Sequence, residues 1–161
     1  MVVDFTPQAG DQVEVFGHSG EFEILAISVL EGHYRYKLAR LADGAELDGI
    51  TYPMLTYSDA EKVRKALPQI LPECRPWPDD FQNGEGACLP NYDIRSNEMY
   101  DGTPRVLVSF FLKPDAIHTP ERARVRNEFF GKLHEQFQFI DIRAWLQFTA
   151  KEQRSVLSAA S

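Results

Sequence analysis

Cysteines, paired histidines and long apolar runs are scarce in this sequence, and each absence excludes a class of protein. Its 161 residues include two cysteines, Cys74 and Cys88, which we expect to be free thiols in a chain without an export signal. Four scattered histidines show no paired-ligand pattern, so we expect neither a metal nor a cofactor. No apolar run approaches a membrane span, and residues 1–5 lack the basic start of a signal peptide. We therefore expect a cytoplasmic protein, of a cell or an infected host.

Motifs for catalysis are equally sparse. His18 and Ser19 could be a base and a nucleophile, but adjacent residues rarely point at each other and no third group accompanies them. Asp79, Asp80 and Glu85 lack the ligand spacing of a calcium loop, so we interpret them as solvated acids of a turn. These absences favour a binding protein over an enzyme.

The composition is that of a folded chain. Hydrophobic residues make up 43% and aromatic residues 12% of the sequence, which excludes a disordered protein. A chain of 161 residues can bury one good core or two small ones.

The first third of the chain has the pattern of short antiparallel strands. Polar and apolar residues alternate from Gly10 to Phe16, with Val13 and Val15 on one face. In the next run, from Glu21 to Val29, period two places Phe22 and Ile24 on one face and Ile27 on the other. Turn signals follow about every ten residues, at 17–20, 31–32 and 43–44, which predicts four or five strands in a small barrel or meander.

The order Gly-Asp-x-Val-x-Val from Gly10, a glycine turn, and Gly-Glu-Phe-x-Ile from Gly20 resembles the opening of SH3-like barrels of the KOW and Tudor sort. The resemblance covers roughly residues 8–57. It implies an SH3-like fold and a module that binds RNA, DNA or protein segments.

The middle of the chain changes character. Ser58 and Glu61 form a capping box that begins a helix, which we expect Pro68 to end at about Leu67. Prolines and glycines then punctuate residues 68–104, which predicts a connection with little regular structure. Because it carries Trp77 and other aromatic residues, it is either pinned on the core or a mobile recognition loop.

The last third has a β-α-β pattern. Residues 105–112 are apolar on both faces, as in a central strand, and Thr119 with Pro120 begins a helix. Residues 140–148 alternate with period two, which favours a strand, although a helix stays possible. A capping box at Thr149 predicts a final short helix.

The predicted fold class is therefore α+β. An N-terminal SH3-like small β-barrel (residues 1–57) precedes a capped helix and Pro-rich irregular connection (58–104), and a C-terminal β-α-β-α portion (105–161) follows.

Charge is distributed unevenly. Residues 1–58 hold nine acids and three bases, a net charge of −6, whereas residues 105–161 hold six acids and nine bases, a net charge of +3. An acidic barrel is a poor match for a phosphate backbone. The basic excess lies partly on the second helix, where Arg122 and Arg126 share a face. We expect this face to be solvated, docked on the acidic barrel, or a nucleic-acid contact.

Three functional hypotheses follow from these patterns. The first is a non-enzymatic binding or adaptor protein that engages a protein partner, through an aromatic groove on the barrel or through the segment 70–104; its size and acidity would also suit a mobile-element accessory or inhibitor protein. The alternatives are a nucleic-acid-associated regulator that uses Arg122 and Arg126, and a small hydrolase whose site the sequence does not reveal. The candidate residues for partner binding are Phe16, Tyr34, Tyr36, Tyr52, Tyr57 and Trp77. Because a barrel interior also needs aromatic residues, the first five could instead belong to the core of the barrel.

Overall fold

The computed structural model describes residues 2–84, 89–98, 104–137 and 142–147. The chain divides into two compact units, one of residues 4–65 and one of residues 1–3 with 66–161. The first is called the N-terminal unit and the second the C-terminal unit. The boundary between the two units falls within a helix. The predicted division of the chain into residues 1–57, 58–104 and 105–161 stays a prediction.

The N-terminal unit is built on a five-stranded antiparallel sheet in the order β4-β3-β2-β1-β5. Among the residues described there, no pairing joins β4 to β5, so the structure shows an open antiparallel sheet, and the closed barrel stays a prediction. A 3-10 turn, Tyr52–Met54, precedes the last strand. The strands are β1 (Gln12–Val15), β2 (Glu21–Leu30), β3 (His33–Arg40), β4 (Glu46–Ile50) and β5 (Leu55–Thr56).

The alternation of polar and apolar residues builds the core of this sheet, as predicted. Val13 and Val15 of β1 and Phe22 and Ile24 of β2 are all buried on one face. Tyr36, Leu38 and Ile50 complete the cluster. Burial of each large apolar side chain is worth about 1.5 to 3 kcal/mol, so this small cluster supplies most of the unit's hydrophobic stabilisation.

Strands β2 and β3 are joined by the predicted two-residue turn. Glu31 and Gly32 have φ angles of 53° and 78°, the left-handed backbone that a tight hairpin of this kind requires. The turn fixes the register, so that Leu30 pairs with His33 and Val29 with Tyr34.

A β-bulge in β2 reverses the faces that simple alternation predicts. Ile24 pairs with Leu38, but Ala26 pairs with Lys37, so Leu25 is an extra residue on β2. Ile27 consequently pairs with the buried Tyr36 and lies on the same face as the core. The prediction that Ile27 lies opposite Ile24 was therefore wrong, because alternation alone does not show where a bulge falls.

A buried carboxylate connects β1 to the first helix, α1 (Asp59–Ile70). Asp11 is 3% exposed, and its carboxylate accepts hydrogen bonds from the Tyr57 hydroxyl at 2.7 Å and the Gln8 N–H at 2.9 Å. Ion pairs join it to Lys65 at 2.5 Å and to Arg64 at 3.3 Å. Burial alone would raise the pKa of Asp11, but the bonds from Lys65, Tyr57 and Gln8 outweigh burial and hold that pKa below its usual value.

Helix α1 begins as predicted and ends later than predicted. The Ser58 hydroxyl accepts a hydrogen bond from the Glu61 N–H at 3.2 Å, as an N-cap does. Pro68 lies inside the helix, which continues to Ile70, so the predicted end at Leu67 was wrong. Proline in a helix costs about 3 kcal/mol, a cost that the full burial of Leu67 and Ile70 can offset at about 1.5 to 3 kcal/mol each.

The C-terminal unit contains a three-stranded sheet in the order β6-β7-β8 and one long helix. After the 3-10 turn Leu71–Cys74 come β6 (Tyr92–Glu98), β7 (Pro104–Phe111), α2 (Pro120–Gln136) and β8 (Ile142–Gln147). Strand β7 lies in the middle, as its apolar residues predicted, and pairs in parallel with β8 across α2. The predicted β-α-β arrangement and the strand within 140–148 are confirmed, whereas the predicted final helix lies outside the described residues.

Strand β6 corrects the prediction that residues 68–104 lack regular structure. It pairs with β7 in antiparallel fashion from Tyr92 to Glu98. Its polar residues, among them Asp93 and Arg95, hide it from pattern reading, because an edge strand buries little and owes its conformation to the hydrogen bonds of its neighbour.

Three phenylalanine rings hold the C-terminal unit together. Phe81 stacks on Phe110 of β7 at 5.4 Å, and Phe129 of α2 meets both rings edge to face, at 5.3 and 5.2 Å. Such pairs add about 0.5 to 1.5 kcal/mol to the burial of the rings. Phe81 thereby pins the irregular segment on the core, which was one of its two predicted roles.

Cys74 is a free thiol in the same unit and is buried, and its burial raises its pKa. Cys88 lies outside the described residues.

We predict that Asp11 gives the N-terminal unit much of its resistance to acid. Because folding lowers the pKa of Asp11, its charged form stabilises the fold above the unfolded pKa of about 3.9, and this contribution is lost as the pH falls through the lower folded pKa. Asp11→Asn should cost about 3 kcal/mol at neutral pH, since it leaves the buried Lys65 ammonium without its carboxylate, and should flatten the acid dependence.

Amide signals of β1 and β2, followed by NMR from pH 7 to pH 2, measure this effect. Asp48→Asn is the matched control, because Asp48 is an exposed acid of the same unit. An unchanged acid midpoint in Asp11→Asn would contradict the assignment.

Candidate functional site

The β2–β3 hairpin extends past the core of the N-terminal unit and carries apolar side chains with it. Ile27 pairs with Tyr36 and Val29 with Tyr34, so all four side chains lie on the face that buries the core. Tyr36 is 3% exposed, but Ile27, Tyr34 and Val29 are 38%, 62% and 64% exposed. Where the core ends, the same face therefore continues as an exposed apolar surface.

Tyr52 adds a second aromatic ring to this surface. It lies in the 3-10 turn that contacts β3, and 59% of its surface is exposed. Burial raises the pKa of Tyr36, and the neighbouring phenols of Tyr34 and Tyr52 raise it further, in keeping with a cluster of three hydroxyl groups. We call Ile27, Val29, Tyr34 and Tyr52 the hairpin surface.

The structure separates the other residues that we predicted to bind a partner. Tyr36 belongs to the core. The hydroxyl of the half-buried Tyr57 donates a hydrogen bond to Asp11, and burial together with this bond raises the pKa of Tyr57. Phe16 is 81% exposed just after β1. Trp77 lies in the C-terminal unit, where its Nε1 donates to the Leu71 carbonyl at 2.7 Å and the Arg75 guanidinium covers its ring.

Sequence reasoning missed Ile27 and Val29 as site residues. Their apolar character was visible, but the bulge that turns them to the core face was not. The one signal available was the run from Leu25 to Leu30, which is too uniformly apolar for a strand with one solvated face.

Acidic residues lie at both ends of the hairpin strand β2. Glu31 is exposed in the turn at one end. At the other end, Glu21 lies directly opposite Glu14 of β1, and Glu23 follows two residues later on the same outward face. Like charges set opposite each other on neighbouring strands are unfavourable, so a cationic partner would relieve a cost that the free protein carries.

A second candidate site is a cavity of about 230 Å³ in the C-terminal unit. The segment before β6 and the β7–α2 connection form it, since the Lys113 N–H donates to the Asp80 carbonyl at 2.7 Å. The volume is below the roughly 300 to 1,000 Å³ of typical small-molecule sites. Its lining residues are Asp79, Asp80, Lys113, Asp115, Ala116, Ile117 and Arg122.

Two ion pairs lie beside this cavity. Arg126 is 4% exposed and donates to Asp80 at 2.6 Å and to the Ile117 carbonyl at 3.0 Å, while Arg122 forms an ion pair with Asp79. Two interpretations were therefore wrong: Asp80 is not a solvated turn acid, and Arg126 does not lie on a solvated helix face. A sequence does not show that two charged side chains far apart in the chain form a buried ion pair.

The described ranges contain no cluster of three or more His, Cys, Asp or Glu side chains that could hold a metal ion, and no helix in them is long and apolar enough to cross a membrane. Comparisons of the chain with protein-family models, curated proteins and solved structures find no match. The fold and the site thus define an α+β protein with an open five-stranded antiparallel sheet and an exposed apolar hairpin.

We predict that Arg126 and Arg122 differ sharply in their effect on stability. Arg126→Met should destabilise the C-terminal unit by about 3 to 5 kcal/mol, because it leaves the Asp80 carboxylate buried without its partner. Arg122→Met should cost far less, since its ion pair with Asp79 is exposed.

Urea unfolding followed by tryptophan fluorescence measures this difference, because both tryptophans, Trp77 and Trp145, belong to this unit. Equal losses in the two variants would show that the Arg126 pair is not a buried one.

Proposed function

We propose that this chain is a non-enzymatic binding or adaptor protein that engages a protein partner through the hairpin surface. The observation that carries the proposal is the continuation of the core face into exposed apolar side chains, with Val29 and Tyr34 more than half exposed. A contiguous exposed apolar surface rimmed by polar residues is typical of a protein-interaction site.

The composition of the surface supports a protein rather than a small-molecule ligand. Two β-branched residues and Tyr34 on the sheet, with Tyr52 in the neighbouring 3-10 turn, present a broad, stiff surface. Tyrosine is enriched among the residues that dominate binding energy, because it buries a large area for little loss of side-chain entropy.

Charge supports a basic partner. Residues 4–65 contain eleven acids and six bases, a net charge of −5. Four of the bases, Lys37, Arg40, Arg64 and Lys65, form ion pairs within the unit. Such a unit would attract a cationic surface, including the nucleic-acid-binding surface of a protein that it would then cover.

We also propose that the N-terminal unit belongs to the SH3-like class that its opening residues resemble. The order of its strands supports this, because the first four follow one another across the sheet and the last, β5, returns to pair with β1. That return is the step by which a meander begins to curl into a barrel.

A nucleic-acid-binding role through Arg122 and Arg126 has less support. Phosphate binding needs cations that are free to replace counterions, and both guanidinium groups are bound to aspartates. For this reason we do not propose the alternative of a nucleic-acid-associated regulator.

We predict that partner binding depends on Tyr34 and Tyr52. Tyr34→Ala should weaken binding by about 2 kcal/mol, or roughly thirtyfold, and Tyr52→Ala by a similar factor, because each removes an aromatic anchor. Leu41→Ala is the control, since Leu41 is 48% exposed in the same unit but lies outside the hairpin surface.

Affinity capture from lysate with and without nuclease, quantified for wild type and the three variants at low and high salt, measures the effect. A protein retained by wild type and by Leu41→Ala but lost from the tyrosine variants would support the proposal. Retention of the partner by wild type and all three variants would show that binding lies outside the hairpin surface. Loss of the partner on nuclease treatment would show that nucleic acid is needed for its capture.

A further inference from the structure

Within the described part of the chain, the outer edge of β2 has no neighbouring strand where the hairpin extends past β1. The pairs between β1 and β2 run from Glu21 to Glu23, and the last hydrogen bonds on this side join Ile24 to Asp11 and Gly10, at 2.9 and 2.8 Å. No described residue pairs with this edge from Leu25 to Leu30. A sheet edge of this length is a template for another strand.

The backbone groups that face this edge belong to Ile27 and Val29. The Leu41 N–H donates to the Glu21 carbonyl, and the Arg40 N–H donates to Ala45 on the opposite side, so the odd-numbered residues of β3 face β2. On β2, Ala26 pairs with Lys37 and Ser28 pairs with Arg35. The N–H and C=O groups of Ala26 and Ser28 therefore point to β3. Because direction alternates along a strand, Ile27 and Val29 direct theirs to the free edge.

The side chains and charges along this edge specify what can pair with it. Residues 25–30 are uncharged, and Glu23 and Glu31 stand just beyond the two ends. Arg35 and Lys37 lie on β3, one strand farther from the edge, and Lys37 is paired with Glu46. A complementary strand is thus apolar at its centre and basic at both ends.

A second copy of this chain fits the edge less well. Pairing two copies about Ile27 would set Glu23 of each opposite Glu31 of the other. Like charges directly opposite each other destabilise a sheet, and they would occur at both ends of a short ladder.

We propose that the free edge of β2 receives an extended strand of the partner protein, with alternating apolar residues flanked by lysine or arginine. The inference rests on the proposed function and specifies its partner. The incoming strand adds main-chain hydrogen bonds at Ile27 and Val29, and its apolar side chains extend the hairpin surface. Main-chain bonds supply affinity and alternate side chains supply specificity, as in other cases of strand addition.

The test uses the full chain and three sets of synthetic peptides, each with a centre of alternating valine and threonine. The sets differ in their flanks, which are lysine and arginine, serine, or glutamate. NMR measures the exchange of the Ile27 and Val29 amide protons with solvent, together with the Tyr34 and Tyr52 ring signals. We expect exchange of both amides to slow at least tenfold with the basic set, less with serine and not with glutamate.

Two substitutions at one position separate the edge from the surface. Val29→Pro removes an edge N–H that β3 does not use, whereas Val29→Ala shortens the side chain and keeps that N–H. We expect Val29→Pro to bind the basic peptides about tenfold more weakly than Val29→Ala, from the loss of a hydrogen bond and the obstruction by the ring. The Val13 and Phe22 amide signals report whether each variant is folded.

The outcomes are distinguishable. Peptide binding that shifts the Tyr34 and Tyr52 signals without slowing the Ile27 and Val29 amides would overturn strand addition and leave the proposed function in place. No perturbation by any set would overturn the inference, while capture of a partner that depends on Tyr34 tests the proposed function separately. A dimer in ultracentrifugation that Val29→Pro abolishes would show that the edge pairs with a second copy, which also overturns it.

Discussion

The N-terminal unit depends on one buried charge, the carboxylate of Asp11. A carboxylate that is buried on folding needs hydrogen-bond donors for its oxygen atoms. For Asp11 these donors are the Gln8 N–H just before β1, the Tyr57 hydroxyl after β5 and the Lys65 ammonium of α1. The segment just before β1 is therefore joined to a second segment, from Tyr57 into α1, that lies 46 or more residues later in the chain. The apolar cluster beneath the sheet is small, with seven buried members, so this polar anchor defines where the helix meets the strands.

Strands β2 and β3 are longer than the core that they cover. The core ends near Tyr36, whereas β2 and β3 continue to the turn at Glu31 and Gly32. A hairpin that binds no partner is expected to carry polar residues in this part, because exposed apolar strands pair with strands of other molecules and aggregate. The apolar hairpin surface and the β2 edge, with which no described residue pairs, meet at Ile27 and Val29, so the proposed partner strand would contact both.

In the C-terminal unit, ion pairing leaves less support for the nucleic-acid-binding role that the sequence suggested. Arg126 and Asp80 neutralise each other in the interior, and Arg122 contacts Asp79. Oδ1 of Asp80 has no hydrogen-bond partner in the part of the chain that the structure describes. The Asp80 carboxylate is therefore less completely hydrogen-bonded than that of Asp11, both of whose oxygen atoms have partners. A basic stretch in a sequence is thus evidence of nucleic-acid binding only once its cations are known to face solvent.

Local rules, read from the residues alone, predicted much of the secondary structure. Alternation placed β1, β2, β3 and β8, a run apolar on both faces placed β7, the Glu31-Gly32 pair placed a turn, and the caps at Ser58 and Thr119 began both helices. The fold was needed to show the bulge at Leu25, the continuation of α1 through Pro68, the edge strand β6 and the partners of Asp11 and Asp80. Each of these depends on a contact between residues distant in the chain, whose free energy outweighs the local preference, and such contacts leave no period or motif in the sequence.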